Sequence, residues 1–146
     1  YIDSTGETGN KLNNVVHFND ALKTNAEKIE YTYVEFNEPL WVLYSSGTTG
    51  RPKAITHSHG GIVIEHIKYL SLHSDVKPGS RFFWYSTTGW MMWNFIIGSL
   101  LVGGTAILYD GSPAFPNLHR LWDLAERAKI ETFGTSAAFI MACKKA

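Results

Sequence analysis

Thiol chemistry is almost absent from this chain: Cys143 is the one cysteine in 146 residues. No internal disulfide can form, and a reducing, cytoplasmic setting is expected. Charge gives no direction either. Thirteen Lys and Arg balance thirteen Asp and Glu, so the basic footprint of a nucleic-acid binder is missing. Long apolar runs are also missing. The longest, Phe95–Val102, is broken by Gly98 and Ser99 and falls far short of the ~20 residues of a membrane span. No secretory leader pattern is visible. No Ser-His-Asp or paired-carboxylate arrangement stands out, which leaves hydrolase chemistry without support. No Gly-Lys-Ser or Gly-Lys-Thr occurs, which excludes an ordinary P-loop NTPase. What remains is a globular composition, 45% hydrophobic and 18% charged, at one domain's length. Its partners are expected to be small molecules, with neither nucleic acid nor membrane among them.

The informative stretch is Tyr44–Lys53, Tyr-Ser-Ser-Gly-Thr-Thr-Gly-Arg-Pro-Lys, with two glycines, four hydroxyl side chains and a closing lysine. Glycine lets backbone N–H groups approach an anion without a Cβ in the way. Hydroxyls donate to phosphate oxygens, and the lysine ammonium adds a compact positive charge with three donors. A polyphosphate suits such a set, with Ser46, Gly47, Thr48, Thr49 and Gly50 offering an anion nest and Lys53 its charge. A plain Ser/Thr/Gly turn fits the same composition. Leu40–Tyr44 before it and Ala54–His57 after it are short and apolar or β-branched, so the stretch reads as strand, loop, strand.

Residues 1–38 read as a polar lead-in, with loop signals at Ser4-Thr5-Gly6, Gly9-Asn10 and Asn13-Asn14. A short helix capped by Asn19 or Asp20 is expected through Leu22 and Ala26, then a strand over 31–36. From residue 39 the pattern alternates. Ser58 precedes apolar residues at helical steps, Ile62, Val63, Ile67, Tyr69 and Leu70, to about His73. A strand is expected over 81–85 after the Pro78-Gly79 turn. A helix over 91–101 is stopped by Gly103-Gly104. A strand over 105–109, a helix over 118–128, a strand over 130–133 and a helix from a Ser136 cap to Lys144 complete the chain. Alternation of this kind predicts an α/β fold, a mostly parallel sheet flanked by helices.

The loop and the residues after it resemble the acyl-adenylate-forming enzymes, the superfamily of acyl-CoA synthetases, adenylation domains and luciferases. Ser46-Gly47-Thr48-Thr49-Gly50-Arg51-Pro52-Lys53 has the form of that superfamily's phosphate signature. Thr56-His57-Ser58-His59-Gly60-Gly61, Thr88-Gly89-Trp90-Met91-Met92-Trp93-Asn94 and Leu108-Tyr109-Asp110-Gly111-Ser112-Pro113 come next, in family order. The likeness runs from Leu40 to Ala146. The doubled methionine and second tryptophan look most like the acetoacetate-activating branch; the acetate-activating branch looks different there.

The resemblance implies that residues 39–146 are part of the large N-terminal domain of such an enzyme. It implies ATP, Mg²⁺ accompanying the ATP, and CoA, with acetoacetate converted through an acyl-adenylate to its CoA thioester. A ligase for acetate or another short-chain acid, and a non-catalytic α/β binding module, stay open. Residues Ser46–Gly50 and Lys53 would hold the β- and γ-phosphates. Trp90, Met91 and Met92 would line the acyl pocket and pantetheine tunnel, although aromatic and methionine side chains at such places are also ordinary core. Gly134, Thr135 and Ser136 match a segment near the acyl carboxylate and CoA thiol, with a strand-to-helix turn as the structural alternative. The family's Tyr-Gly-x-Thr-Glu segment, ribose-binding aspartate, hinge and catalytic lysine have no counterpart here. A larger parent protein is expected, and the isolated chain is expected to be inactive and to expose apolar surface, self-associating or standing at marginal stability.

The histidines do not suggest a protein-built metal site. His59, His66 and His73 recur every seven residues, which on one helix separates successive rings by about 10 Å, too far for one ion. His57 is expected to pack beside the phosphate loop.

Overall fold

The computed structural model describes residues 16–23, 28–46 and 50–146. It divides into two units, residues 1–33 and residues 34–146. In the first, a single helical turn, α1 (Phe18–Ala21), has His17 at its N-cap, so Asn19 and Asp20 lie inside the helix and neither caps it. Asp20 instead pairs with Lys23 at 2.7 Å on the surface, a contact of little energetic weight. The expected extension to Ala26 and the loop signals before residue 15 lie outside the described residues.

No strand forms over 31–36. The backbone of Phe36 and Glu38 has other work in the second unit. The Phe36 carbonyl accepts from Gly60 N–H at 3.0 Å and the Glu38 carbonyl accepts from His59 N–H at 2.9 Å. These are N-terminal amides of a helix that has no intrahelical carbonyls to offer them. Strands β1 (Pro39–Ser45) and β2 (Lys53–Ser58) then pair antiparallel, with Leu43 opposite Ile55 and Ser45 opposite Lys53. The expected strand–loop–strand is present.

Ser58 ends β2 and caps α2 (His59–Lys68), accepting from Gly61 N–H at 3.2 Å. Three of the helix's first amides are therefore satisfied. Helix α2 runs on through a π-helical turn, Tyr69–His73. Ile62, His66 and Leu70, four residues apart, are its buried stripe.

The sheet is parallel, in the order β4-β3-β5. Its centre is β3 (Arg81–Trp84), flanked by β4 (Thr105–Ile107) and β5 (Thr132–Gly134). Successive side chains of a strand point to opposite faces, and both faces of β3 are covered. Phe82 packs with Leu70, Val76 and Ile96 on one side. Phe83 packs with Leu121 and Phe139 on the other. The first side belongs to α2 and α3 (Met91–Gly98), the second to α4 (Arg120–Ala128) and α5 (Ala137–Lys145). Helices on both faces of parallel strands are the α/β arrangement expected.

Several boundaries differ from the sequence pattern for local reasons. Helix α3 tightens into a 3₁₀ turn, Ser99–Val102, before Gly103 at φ 75° stops it. Tyr109 leaves the edge of β4 because its hydroxyl donates to the Ser112 carbonyl at 3.0 Å. Helix α4 starts at Arg120, after Asn117 Oδ1 accepts from His119 N–H at 3.0 Å. β5 starts at Thr132 because Ile130 N–H still bonds the Ala125 carbonyl of α4, at 2.9 Å.

Gly134 sits opposite Trp84 in the ladder, and a Cβ there would occupy the space of the Trp84 ring. Gly134→Ala should therefore cost about 1–3 kcal/mol through overpacking. Leu70→Ala, which empties a fully buried site, should cost about 2–5 kcal/mol. Denaturant melts of both variants check this, and unchanged midpoints would contradict the packing described.

Candidate functional site

The β1–β2 hairpin holds the glycine-rich loop by both ends, through the Ser45–Lys53 pair at its mouth. Ser46, Gly50 and Lys53 are exposed there. Gly50 adopts φ 144° with nothing within 4 Å of where a Cβ would stand, so the backbone conformation and not crowding calls for glycine. Among the described residues no ion pair engages Lys53. Gly47, Thr48 and Thr49 lie outside the described residues.

His57, on β2, is fixed by Trp41 across the hairpin, whose Nε1–H donates to His57 Nδ1 at 2.9 Å. With Nδ1 accepting, the neutral ring carries its proton on Nε2. His57 lies four residues along β2 from Lys53 at the loop mouth, and not beside the loop as expected; it borders a cavity of about 640 Å³. One wall is α2, with Gly61, Ile62, Glu65, His66 and, just beyond the helix, Tyr69; Trp84, Met91, Met92 and Phe95 form the rest, and Thr56, His57 and Ser58 its rim towards β2.

Of the expected acyl-pocket residues, Met91 and Met92 line this cavity and Trp90 does not. Trp90 is the N-cap of α3 and is 48% exposed. Gly134, Thr135 and Ser136 are not among the lining residues either. They form the turn from β5 into α5, where Ser136 Oγ accepts from Phe139 N–H at 3.2 Å as the expected cap. Gly134 still touches the cavity's structure indirectly, through the Trp84 ring. Thr135 Oγ1 is buried without a hydrogen-bond partner among the described residues.

Six lining residues lie outside the sequence motifs: Ile62, Glu65, His66, Tyr69, Trp84 and Phe95. The Phe95 ring meets His66, Tyr69, Phe82 and Trp84 edge-on at 5.1–6.2 Å. For His66 a signal existed, a histidine on the Ile62–Leu70 stripe. Its heptad spacing with His59 and His73 bears only on metal binding, which the separation of about 10 Å between rings argues against. Among the described residues no three His, Cys, Asp or Glu side chains gather to hold an ion. Burial pushes the His66 imidazole below its ordinary pKa, against an upward pull from Glu65 and with a smaller downward push from His57. The ring is therefore held neutral at physiological pH.

Strand β2 thus carries Lys53 and the loop at one end and borders an apolar cavity at the other, an arrangement that can serve an anionic leaving group and a small organic acid. Known proteins share the fold. A sequence model of the AMP-binding enzyme family matches residues 5–146. The acetoacetyl-CoA synthetase of Danio rerio is 44% identical over 146 residues, covering 96% of this chain and 22% of its own. The acetoacetyl-coenzyme A synthetase of Rhizobium meliloti is 44% identical over 120 residues, covering 82% of this chain and 18% of its own. The solved acetoacetyl-CoA synthetase from Streptomyces lividans superposes with a TM-score of 0.88 at 52% identity, over 99% of this chain and 22% of that one. The chain thus spans about a fifth of the length of these relatives. It belongs to the AMP-binding enzyme family.

Proposed function

We propose that the protein containing this chain is an ATP-dependent acid–CoA ligase acting on acetoacetate. The acid's carboxylate oxygen attacks the α-phosphorus of ATP, forming acetoacetyl-AMP and releasing pyrophosphate. The CoA thiol then attacks the acyl carbonyl, forming the thioester and releasing AMP. The observation that carries this reading is the joining of the loop to the cavity: Lys53 opens β2, and Ser58 at its other end starts the helix that walls the cavity. The cavity's size falls within the range of small-molecule sites.

In this reading Ser46–Gly50 and Lys53 bind the β- and γ-phosphates. Attack of one anion on another is slow unless charge is stabilised, and the departing pyrophosphate carries most of it. Met91 and Met92 give the acyl group adaptable apolar lining. Trp90 and the Gly134–Ser136 turn take the side from which the CoA arm arrives. Ser46, Thr48 and Thr49 would offer hydroxyl oxygens and Lys53 a positive charge beside a nucleotide-bound Mg²⁺, which would supply charge neutralisation there. Cys143 is free, in keeping with a cytoplasmic setting. Among the described residues no helix is long and apolar enough to cross a membrane. Outward-facing Ile64, Leu72 and Leu100 support self-association of the 146-residue chain by itself.

A second reading, a ligase for saturated short-chain acids, draws on the mostly apolar lining of the same cavity. Pyrophosphate exchange by the full-length protein with acetoacetate, acetate and butyrate separates the two. Acetoacetate should be preferred, and activity with none of the three would sink the ligase assignment. In the same assay Lys53→Ala and Thr49→Ala should slow adenylation, Lys53→Ala by about 10²–10³-fold, while the acid's affinity changes far less. Unchanged rates in both variants would reduce the loop to a turn.

A further inference from the structure

His66 is buried, at 8% exposure, in a cavity wall that it shares with Ile62, Glu65, Tyr69, Trp84, Met92 and Phe95. Its ring has two edges with different surroundings. The edge carrying Nδ1 lies against Gly98, where a Cβ would collide with that nitrogen. Nδ1 is buried and has no hydrogen-bond partner among the described residues. A proton there would leave an N–H donor buried and unmet, the costlier kind of orphan. The favoured neutral tautomer therefore puts the proton on Nε2, the ring nitrogen that is not fully buried, on a residue that lines the cavity. Among the described residues Nε2 makes no hydrogen bond.

We infer that His66 is a specificity-determining residue whose Nε2–H donates to the ketone oxygen of a 3-oxo acid, separating it from the saturated acid of the same length. This rests on the acetoacetate reading above. An apolar pocket distinguishes such acids weakly, whereas a pocket holding a donor that only one of them satisfies distinguishes them strongly. A ketone oxygen only accepts, so a neutral N–H matches it. The downward pull of burial on the imidazole keeps that neutral form in place. The polar groups of Thr56, His57 and Ser58 sit on the β2 side of the cavity, towards the phosphate loop, where the reacting carboxylate belongs. Gly98 is the positioning residue, since only a hydrogen at that α-carbon leaves room for the ring.

The test is the ratio of kcat/KM for acetoacetate to that for butyrate, measured on one preparation of the full-length enzyme. Any loss of folded enzyme cancels in the ratio. His66→Leu should lower it about 10–100-fold, through acetoacetate alone, because the ketone oxygen then lies buried without a donor. His66→Gln, which keeps an N–H donor, should retain a higher ratio than His66→Leu. An equal fall with both acids, or an unchanged ratio, would overturn the inference and leave the ligase reading standing. A wild-type enzyme that uses butyrate and not acetoacetate would overturn both.

Discussion

Ser58 is at once the last residue of β2 and the N-cap of α2, so no linker separates the loop-bearing hairpin from the helix that walls the cavity. The junction is held three ways. Ser58 Oγ takes the Gly61 amide, and the Phe36 and Glu38 carbonyls take those of Gly60 and His59. Each satisfies an amide that the helix itself cannot. Trp41 fastens His57 across the hairpin one residue earlier. In the proposed reaction, the distance between a phosphate at the loop and an acid in the cavity would be set by the β2–α2 backbone, which is what in-line attack between two anions demands.

The parallel sheet supplies the rest of the cavity. Phe82 and Phe83 secure β3 from both faces, so the next residue, Trp84, is delivered to a defined place at the strand's C-terminal end. In open α/β sheets that end is where ligands bind. Two glycines make the remaining room. Gly134 lets β5 lie against the Trp84 ring, and Gly98 lets α3 lie against the His66 ring. In both places a heavy side chain of the cavity wall rests on a glycine of a neighbouring element, so the wall's shape depends on residues that do not themselves line it.

Much of this was legible in the chain. The hairpin showed as two apolar runs around a Ser/Thr/Gly loop, and the caps at Ser58, Gly103 and Ser136 marked real helix ends. The Phe82–Phe83 strand showed as an apolar run after a Pro-Gly turn. The segment over 31–36 was misleading: its aromatic and β-branched residues have strand character, yet Tyr33 is fully exposed and the Phe36 carbonyl serves a helix terminus. Composition does not reveal where a carbonyl is needed. Of the residues expected at the acyl pocket, Met91 and Met92 line the cavity, while Trp90, at the N-cap of α3, does not. His66 and Trp84 escaped because their places in the cavity wall come from what α3 and β5 set beside them, which local spacing does not encode.

Hydrogen–deuterium exchange on the full-length protein, with and without a non-hydrolysable ATP analogue, addresses the joining of loop and helix most directly. Peptides spanning 46–53 should gain protection together with the first turn of α2, while α4, on the far face of the sheet, keeps its exchange rate. Binding of the analogue with no protection in 46–53, or with protection there that leaves the α2 terminus unchanged, would contradict a single phosphate-and-acyl site built through Ser58.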